Sequence, residues 1–559
     1  MLIVDPIGLK DNFHDDYFEK RVWPISEDEY RQVFGGVMDL LLRQVADIDP
    51  ASADVLVADN RFVLVLLSLI HTNAATNLGK DKWGGVCPEV SIEALQEAQE
   101  KDIYLGTFKS GRWLGLKSFI QAIYRAGKYS RVFNQSGFGE EVKMWFKSLS
   151  FFMNSRRNSQ KAKKKMPTSR AEICLGNPAA ALRKEYLKGE TKRLLWVEDL
   201  VHWHVKRRIT KRELSSQIRE SVEALFDEIR KMPDAYIRNI DLTYFEKAWK
   251  TRLGILWNLY WAYRSEVPDQ IGALHVVGSG NTTRRLLSLA WQREGVKVFA
   301  YNHGGNLHLA TQYYYFLQQE AIWGNLVCPN KAIAHNMGQA YSKLTLGANF
   351  GRPRHLFPTG VDLDKSSILK SKSVSSLSRA SPKLLLVGFP MHAKRYLDGD
   401  GLFFHFRFDL ELRIITYLVS AGYDISYKIH PEYTGRIDPI LIKKGIDVVS
   451  GPFEDVWSEY DSYLFTDTPT APFGFALTTD KPIILTLLDQ GGLSAEAFEA
   501  LACRASIVPL SWSNHNRLMF NEADMATAIK TSQRKSADTS FWERYVRYQW
   551  HYTPGWADS

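Results

Sequence analysis

The chain has 559 residues, 45% hydrophobic and 24% charged, and a formal net charge of +9, from 71 basic and 62 acidic side chains. This composition excludes a mainly disordered chain, and at about 150 residues per domain it predicts three to four domain-sized units. The four cysteines, Cys87, Cys174, Cys328 and Cys503, are widely spaced with no CxxC pair. That argues for a reducing compartment and against a structural zinc site.

Residues 1–142 read as a mixed α/β region. The first residues, MLIVDPIGLKD, place no basic region before an apolar stretch, so no signal peptide is expected. Asp28 to Ile48 carries apolar residues at helical spacing, and Ser91 to Gln99 and Trp113 to Ala126 read as helical too. The longest aliphatic run, Phe62 to Ile70, is about half the ~20 residues of a membrane-spanning helix and reads as a buried strand or core helix.

Residues 143–170 hold nine basic side chains and no acidic one. An aromatic half, KMWFKSLSFFM, precedes a polybasic half, NSRRNSQKAKKKM. An anionic membrane surface, a solvated linker beside a core helix and a nucleic-acid patch are three readings of such a tract. Nothing else in the chain resembles a nucleic-acid module, so no nucleic-acid partner is expected. The protein is expected in the cytoplasm, peripheral at the inner face of the membrane.

Residues 171–364 form a helical region followed by a first Rossmann-like lobe. The segment 185–232 is heavily charged and reads as helical. From Ala273 a strand, the Gly278-Ser279-Gly280-Asn281 turn, a helix over Thr282 to Arg293 and a second strand over Val296 to Tyr301 make a βαβ unit. The Ser/Lys-rich stretch 365–382 is a linker. A second α/β series occupies 383–520, before a helical C-terminal segment at 521–559. Its predicted strands are Leu384–Val387, Asp424–Ile429, Asp447–Val449, Asp461–Phe465 and Pro482–Thr486, with helices over Asp409–Ala421 and around Gly474–Thr478. The expected fold class is therefore α/β: two doubly wound Rossmann-like lobes facing a cleft, with extra N-terminal elements. Ligands bind such sheets at the carboxyl ends of the strands.

Four constellations fall at strand ends. The first is Lys428-Ile429-His430-Pro431-Glu432, where proline turns the chain out of a strand. Its His430 either donates to a phosphate, with Lys428 adding charge, or is a plain turn histidine. The second runs from Thr466 through Asp467, Thr468 and Pro469 to Thr470, with hydroxyls at a helix start. It reads as an anion site or as ordinary helix capping. The third is Tyr301-Asn302-His303-Gly304-Gly305, where two glycines permit close backbone approach and His303 is a candidate acid or base. A glycine turn with a solvated histidine is its alternative. The fourth, Gly278, Ser279 and Asn281 followed by Arg284 and Arg285, lacks full GxGxxG spacing. The Asp362-Leu363-Asp364 pair lies beside the linker and reads as solvated, so no metal site is expected.

The order strand–His-Pro, then about 35 residues later strand–Thr-Asp-Thr, then FAL and Lys481-Pro482, resembles the nucleotide-binding lobe of GT-B glycosyltransferases that build bacterial surface polysaccharides. It is similar to sialyl-, polysialyl- and Kdo transferases with their HP motif, and to the glycerophosphate polymerases of wall teichoic acid. The upstream Asn302-His303-Gly304-Gly305 with Trp323-Gly324 resembles the HGG…WG stretch of surface-carbohydrate transferases. The resemblance spans about residues 271–490. It implies a metal-independent transferase with no cofactor, whose substrate is a nucleotide sugar, a CMP-linked ulosonic acid such as Kdo or a nonulosonic acid. The acceptor would be a glycan or glycolipid. It implies that His430 contacts the phosphate of a cytidine nucleotide donor and that Thr468 and Thr470 bind the same phosphate or the sugar carboxylate; Lys428, Glu432 and Thr466 are the further expected donor-side residues. His303 is the expected base, and Gly278, Ser279, Asn281, Asn302, Gly304 and Gly305 line the acceptor side. The paired serines of the family stand here as Thr-Pro-Thr, and its acidic D/E-D/E-G motif has no clear counterpart in the first lobe. A CDP-glycerol or other nucleotide-sugar transferase, and a non-catalytic assembly protein with a degenerate transferase fold, are the alternatives.

Overall fold

The structure, a computed structural model, describes residues 24–83, 171–175, 194–196, 210–238, 240–267, 271–277, 282–301, 322–328, 330–341, 349–350, 354–356, 382–388, 404–430, 441–442, 444–468 and 470–546. A reciprocal capping box between Ser26 and Glu29 starts helix α1, Glu27–Asp47. Asp49 caps α2, Pro50–Ala58, with proline at its first turn, where no N–H is required. Helix α3, Asn60–Trp83, contains the long aliphatic run, which is thus a core helix.

Strands β1, Ala171–Leu175, and β2, Leu194–Trp196, come next. The latter corrects the helical reading of 185–232: Leu194–Trp196 pairs as a short parallel strand with β1. Helix α4, Ser216–Arg230, does lie in that segment, and its buried stripe Ile218, Val222, Leu225, Phe226 and Ile229 follows helical spacing. The short α5, Asp234–Ile237, leads to α6, Leu242–Ser265. Then follow β3, Ile271–Val277; α7, Thr282–Arg293; β4, Lys297–Tyr301; β5, Asn325–Val327; α8, Lys331–Tyr341; and β6, Arg354–Leu356.

The second series comprises β7, Lys383–Val387; α9, Phe404–Ser420; β8, Asp424–Lys428; β9, Asp447–Val449; and α10, Phe453–Val456. It continues with β10, Ser462–Phe465; α11, Ala471–Ala476; β11, Ile483–Leu488; α12, Ala495–Arg504; β12, Ser506–Trp512; β13, Leu518–Phe520; and α13, Glu522–Ser532. Helix α9 begins five residues before the predicted Asp409.

The first sheet is parallel throughout, in the order β2-β1-β3-β4-β5-β6, and its order reverses between β1 and β3. The second runs β13-β12-β11-β10-β7-β8-β9, parallel except for the β12–β13 edge pair. Its six parallel strands follow the 3-2-1-4-5-6 order of dinucleotide-binding folds and reverse between β7 and β10. The predicted class, two doubly wound α/β sheets, is the one observed. Strands such as β10, buried at every position, read as continuous apolar runs because parallel sheets are covered on both faces.

Three turns that lead into strands share one device. Gly295, Gly422 and Gly445 take positive φ and donate to the carbonyl three residues back, while Val296, Tyr423 and Ile446 donate to the carbonyl five residues back. This is the Schellman closure, in which glycine occupies the left-handed position at no steric cost.

Helices α2, α6 and α7 form an apolar layer that includes Trp249, Tyr260, Tyr263 and Trp291, all buried. Inside it Asp59 is fully buried and accepts from Trp249 Nε1 at 3.1 Å, from Thr282 Oγ1 at 3.1 Å, and from two nitrogens of Arg252. A second buried carboxylate, Asp54, accepts from Tyr260 Oη at 2.7 Å and from Nε and Nη2 of Arg293. At the other end of the chain, the π-turn Trp542–Val546 packs at the start of α8, where Asn330 Nδ2 donates to Tyr545 O at 2.9 Å. Among the described residues no helix is long and apolar enough to cross a membrane.

Candidate functional site at the reversal point of the second sheet

Strand β7 is flanked by β8 on one side and β10 on the other. All three run parallel, so their carboxyl ends lie at one edge of the sheet. That edge carries Gly388 after β7, Lys428 to His430 at the end of β8, and Thr466 to Thr470 after β10. The two predicted donor motifs are thus brought to either side of one strand, at the point where the sheet order reverses.

The residues differ in what they offer. His430 is half-buried, one residue past Ile429, whose N–H still donates to Val449 O at 3.0 Å. Lys428 is buried, and its Nζ donates to Ile429 O at 2.8 Å. Burial holds its ammonium below the ordinary lysine range, with the charge of Glu454 opposing.

Thr466 is buried, and its Oγ1 donates to Glu411 Oε1 at 2.8 Å. A hydroxyl has one proton, so this bond leaves none for a phosphate. Thr468 is buried, and its N–H donates to Asp467 Oδ1 at 2.9 Å while its carbonyl accepts from Thr470 N at 2.9 Å. Thr470 caps α11, its Oγ1 accepting from Phe473 N at 3.3 Å. That bond is the ordinary capping the sequence allowed, and it uses a lone pair rather than the hydroxyl proton.

Two residues that the sequence reading missed support this edge from below. Arg407 and Glu411 lie one turn apart on α9 and are both buried. Arg407 Nη1 donates to Thr466 O at 2.6 Å, and its Nη2 lies 3.2 Å from Asp467 Oδ2. Glu411 Oε2 accepts from Tyr427 Oη at 2.7 Å. That tyrosine in turn explains Gly388, where a Cβ would stand 2.1 Å from Tyr427 Oη. Gly388 N donates to Lys428 O at 3.0 Å, tying the ends of β7 and β8 together.

Helix α11 is fixed from its far end. The buried Arg504 sends one nitrogen, Nη2, to Ala476 O, Thr479 O and Lys481 O at 3.3, 2.8 and 3.0 Å. Burial pulls this guanidinium down to about 10.

In the first sheet the predicted acceptor-side residues Gly278, Ser279, Asn281, Asn302, His303, Gly304 and Gly305 lie outside the described residues, as do Glu432, Asp362, Asp364 and the basic tract 143–170. The strand residues beside them form a polar chain. His275 on β3 has Nδ1 2.7 Å from Tyr301 Oη on β4 and Nε2 2.8 Å from Glu172 Oε2 on β1. All three are buried, and the imidazole stacks on Phe299. Trp323 is buried, and Gly324 N donates to Gln292 Oε1 at 2.9 Å, seating the Trp-Gly pair against α7. Among the described residues no group of three or more His, Cys, Asp or Glu could hold a metal ion.

Fold and site together define a protein of two doubly wound α/β sheets with a strand-end site at the reversal point of the second. No protein-family model matches the chain, and no curated protein does. Among solved structures it is similar to the UDP-GlcNAc 2-epimerase of Methanocaldococcus jannaschii, crystallised with UDP-GlcNAc and UDP. The identity is 12% and the TM-score 0.34, over 67% of this chain and 97% of that one. A likeness this distant assigns no substrate.

Proposed function

We propose that the protein is a metal-independent glycosyltransferase of the two-lobed GT-B type. In this reading the second sheet binds a nucleotide sugar, a CMP-linked ulosonic acid such as Kdo or a nonulosonic acid, for transfer to a surface-polysaccharide acceptor. The observation that supports it best is placement. His430 and the Thr466–Thr470 turn flank β7 at the strand-order reversal of a 3-2-1-4-5-6 sheet, where doubly wound folds bind nucleotides.

Transfer requires the leaving phosphate to be stabilised while the acceptor hydroxyl loses its proton. His430 is the side chain we assign to the phosphate. Lys428 acts at a distance, since its ammonium is bound to Ile429 O. Thr468 and Thr470 shape the turn beside it. His303 is the proposed base for the acceptor, with Gly278, Ser279, Asn281, Asn302, Gly304 and Gly305 on the acceptor side. The basic tract 143–170 is proposed to hold the protein at an anionic inner membrane surface, close to a glycolipid acceptor.

Calorimetric titration with CMP, with CDP and UDP as controls and no divalent metal, tests the reading. Selective CMP binding that His430→Ala weakens by at least about tenfold, or about 1.4 kcal/mol, is the expected result. Preference for CDP moves the donor to a CDP-linked group. Binding of none of the three overturns the nucleotide-sugar reading.

A further inference from the structure

We propose that Arg407 and Glu411 are positioning residues of the nucleotide site, locking the Thr466–Thr468 turn into its ligand-binding shape from helix α9. The inference rests on the nucleotide reading above. Four residues apart on a helix, the two side chains share one face. From that face they address the same residue with opposite polarity: Arg407 donates to the Thr466 carbonyl, and Glu411 accepts the Thr466 hydroxyl proton. The cation also pairs with Asp467, whose Oδ1 holds the Thr468 N–H. The Thr466 carbonyl and hydroxyl are thereby oriented by a single helix, and the Thr468 amide is tied to it through Asp467.

Glu411 reaches further. Its second oxygen takes the Tyr427 hydroxyl, and the Tyr427 ring lies over Gly388. One carboxylate therefore joins the ends of β8 and β10 across β7, the three strands that meet at the site. Burying both signs of charge is not the economical way to fill this space, because apolar residues of similar volume stabilise a core as well or better. What an apolar pair lacks is direction: it cannot fix which way a carbonyl and a hydroxyl point. A turn whose shape is already fixed meets a ligand without first having to be ordered.

The test uses the full chain, CMP as probe, and the variants Thr466→Val, Thr466→Ser, Glu411→Gln and Arg407→Lys. Valine keeps the shape of threonine without the hydroxyl, and serine keeps the hydroxyl. Glutamine keeps one acceptor oxygen but turns a donor toward one of its two hydroxyl partners. Lysine keeps charge but cannot hold Thr466 O and Asp467 together. We expect the dissociation constant for CMP to rise about tenfold or more in Thr466→Val, Glu411→Gln and Arg407→Lys, and to return to within about threefold of wild type in Thr466→Ser. Thermal midpoints measured without nucleotide separate this from a structural role. Variants that lose stability but keep wild-type affinity overturn the positioning role alone. So does a Thr466→Ser variant as weak as Thr466→Val, which would make the methyl group the important part. A wild-type chain that binds none of CMP, CDP and UDP overturns the nucleotide reading, and the positioning role with it.

Discussion

Near the first sheet, Asp59 gathers hydrogen bonds from Trp249, Arg252 and Thr282, partners 190 to 223 residues away on α6 and α7. In the second sheet, Glu411 and Arg407 come from one helix and reach the ends of the strands beside it. The chemistry is similar, a buried carboxylate beside a buried guanidinium, but the reach differs. The first network ties the α2–α3 junction to α6 and α7. The second grips one turn at the sheet's edge. Buried charge welds elements in the first case and aims backbone groups in the second. Damage to the first should therefore cost stability at unchanged nucleotide affinity, and damage to the second should cost affinity more than stability.

The sharpest way to break that contrast is Asp59→Ala. It leaves Arg252 buried without its carboxylate and should cost about 3–5 kcal/mol in denaturant unfolding. CMP affinity of the folded fraction should stay at the wild-type value. Next comes pH. Burial lowers the pKa of His71 on α3 from 6.5 to about 3, so the folded protein holds this ring neutral while the unfolded chain protonates it. Its share of stability is present above about pH 6.5 and is lost as the solution is acidified toward pH 3, by up to about 1.4 kcal/mol per pH unit. His71→Phe should flatten that slope in unfolding curves taken at pH 7, 6, 5 and 4. An unchanged slope would remove His71 as the source of acid sensitivity in the N-terminal layer.

Gly388→Ala sharpens the second half of the contrast. Its new methyl group meets the Tyr427 hydroxyl, and the overpacking should cost about 1–3 kcal/mol. Because the displaced tyrosine is a partner of Glu411, CMP affinity should fall as well. Stability loss with intact affinity would place Gly388 with the welds instead. The smallest effect belongs to Thr470→Ala, which removes one cap from α11 and should cost about 1 kcal/mol. Thr470→Ser should recover most of it in the same thermal-shift measurement.

The sequence was most informative where local rules decide the outcome. The βαβ unit at Ile271–Tyr301 and the strand series from Lys383 to Leu488 were legible from apolar runs bounded by turns. Helix α6 was not read, although Phe245, Trp249, Leu253, Leu256, Tyr260 and Tyr263 repeat at three and four residues and are buried. The recurring Gly295-Val296, Gly422-Tyr423 and Gly445-Ile446 pairs, each just before a strand, were a further unused signal. Leu194–Trp196 was misread because three apolar residues inside a charged stretch carry no period of their own, and pairing with β1 decides their state. At the site, His-Pro and Thr-Asp-Thr could be found because motif order is a property of the sequence itself. Arg407 and Glu411 could not. Nothing local in FHFRFDLELRI says which face of that helix meets a turn more than fifty residues downstream.

The contact between Asn330 and the Tyr545 carbonyl has a consequence for how the chain is made. The two residues lie 215 positions apart, which at a ribosomal rate of about 5–20 residues per second is roughly 10–40 s of synthesis. During that interval α8 already has its start, because Asn330 Oδ1 accepts from Ile333 N three residues on. The flank that meets Trp542–Val546 waits for that turn to be made. Helix α8 is thus made early and covered late, and a nascent chain lacking Trp542–Val546 would expose the flank that this turn meets.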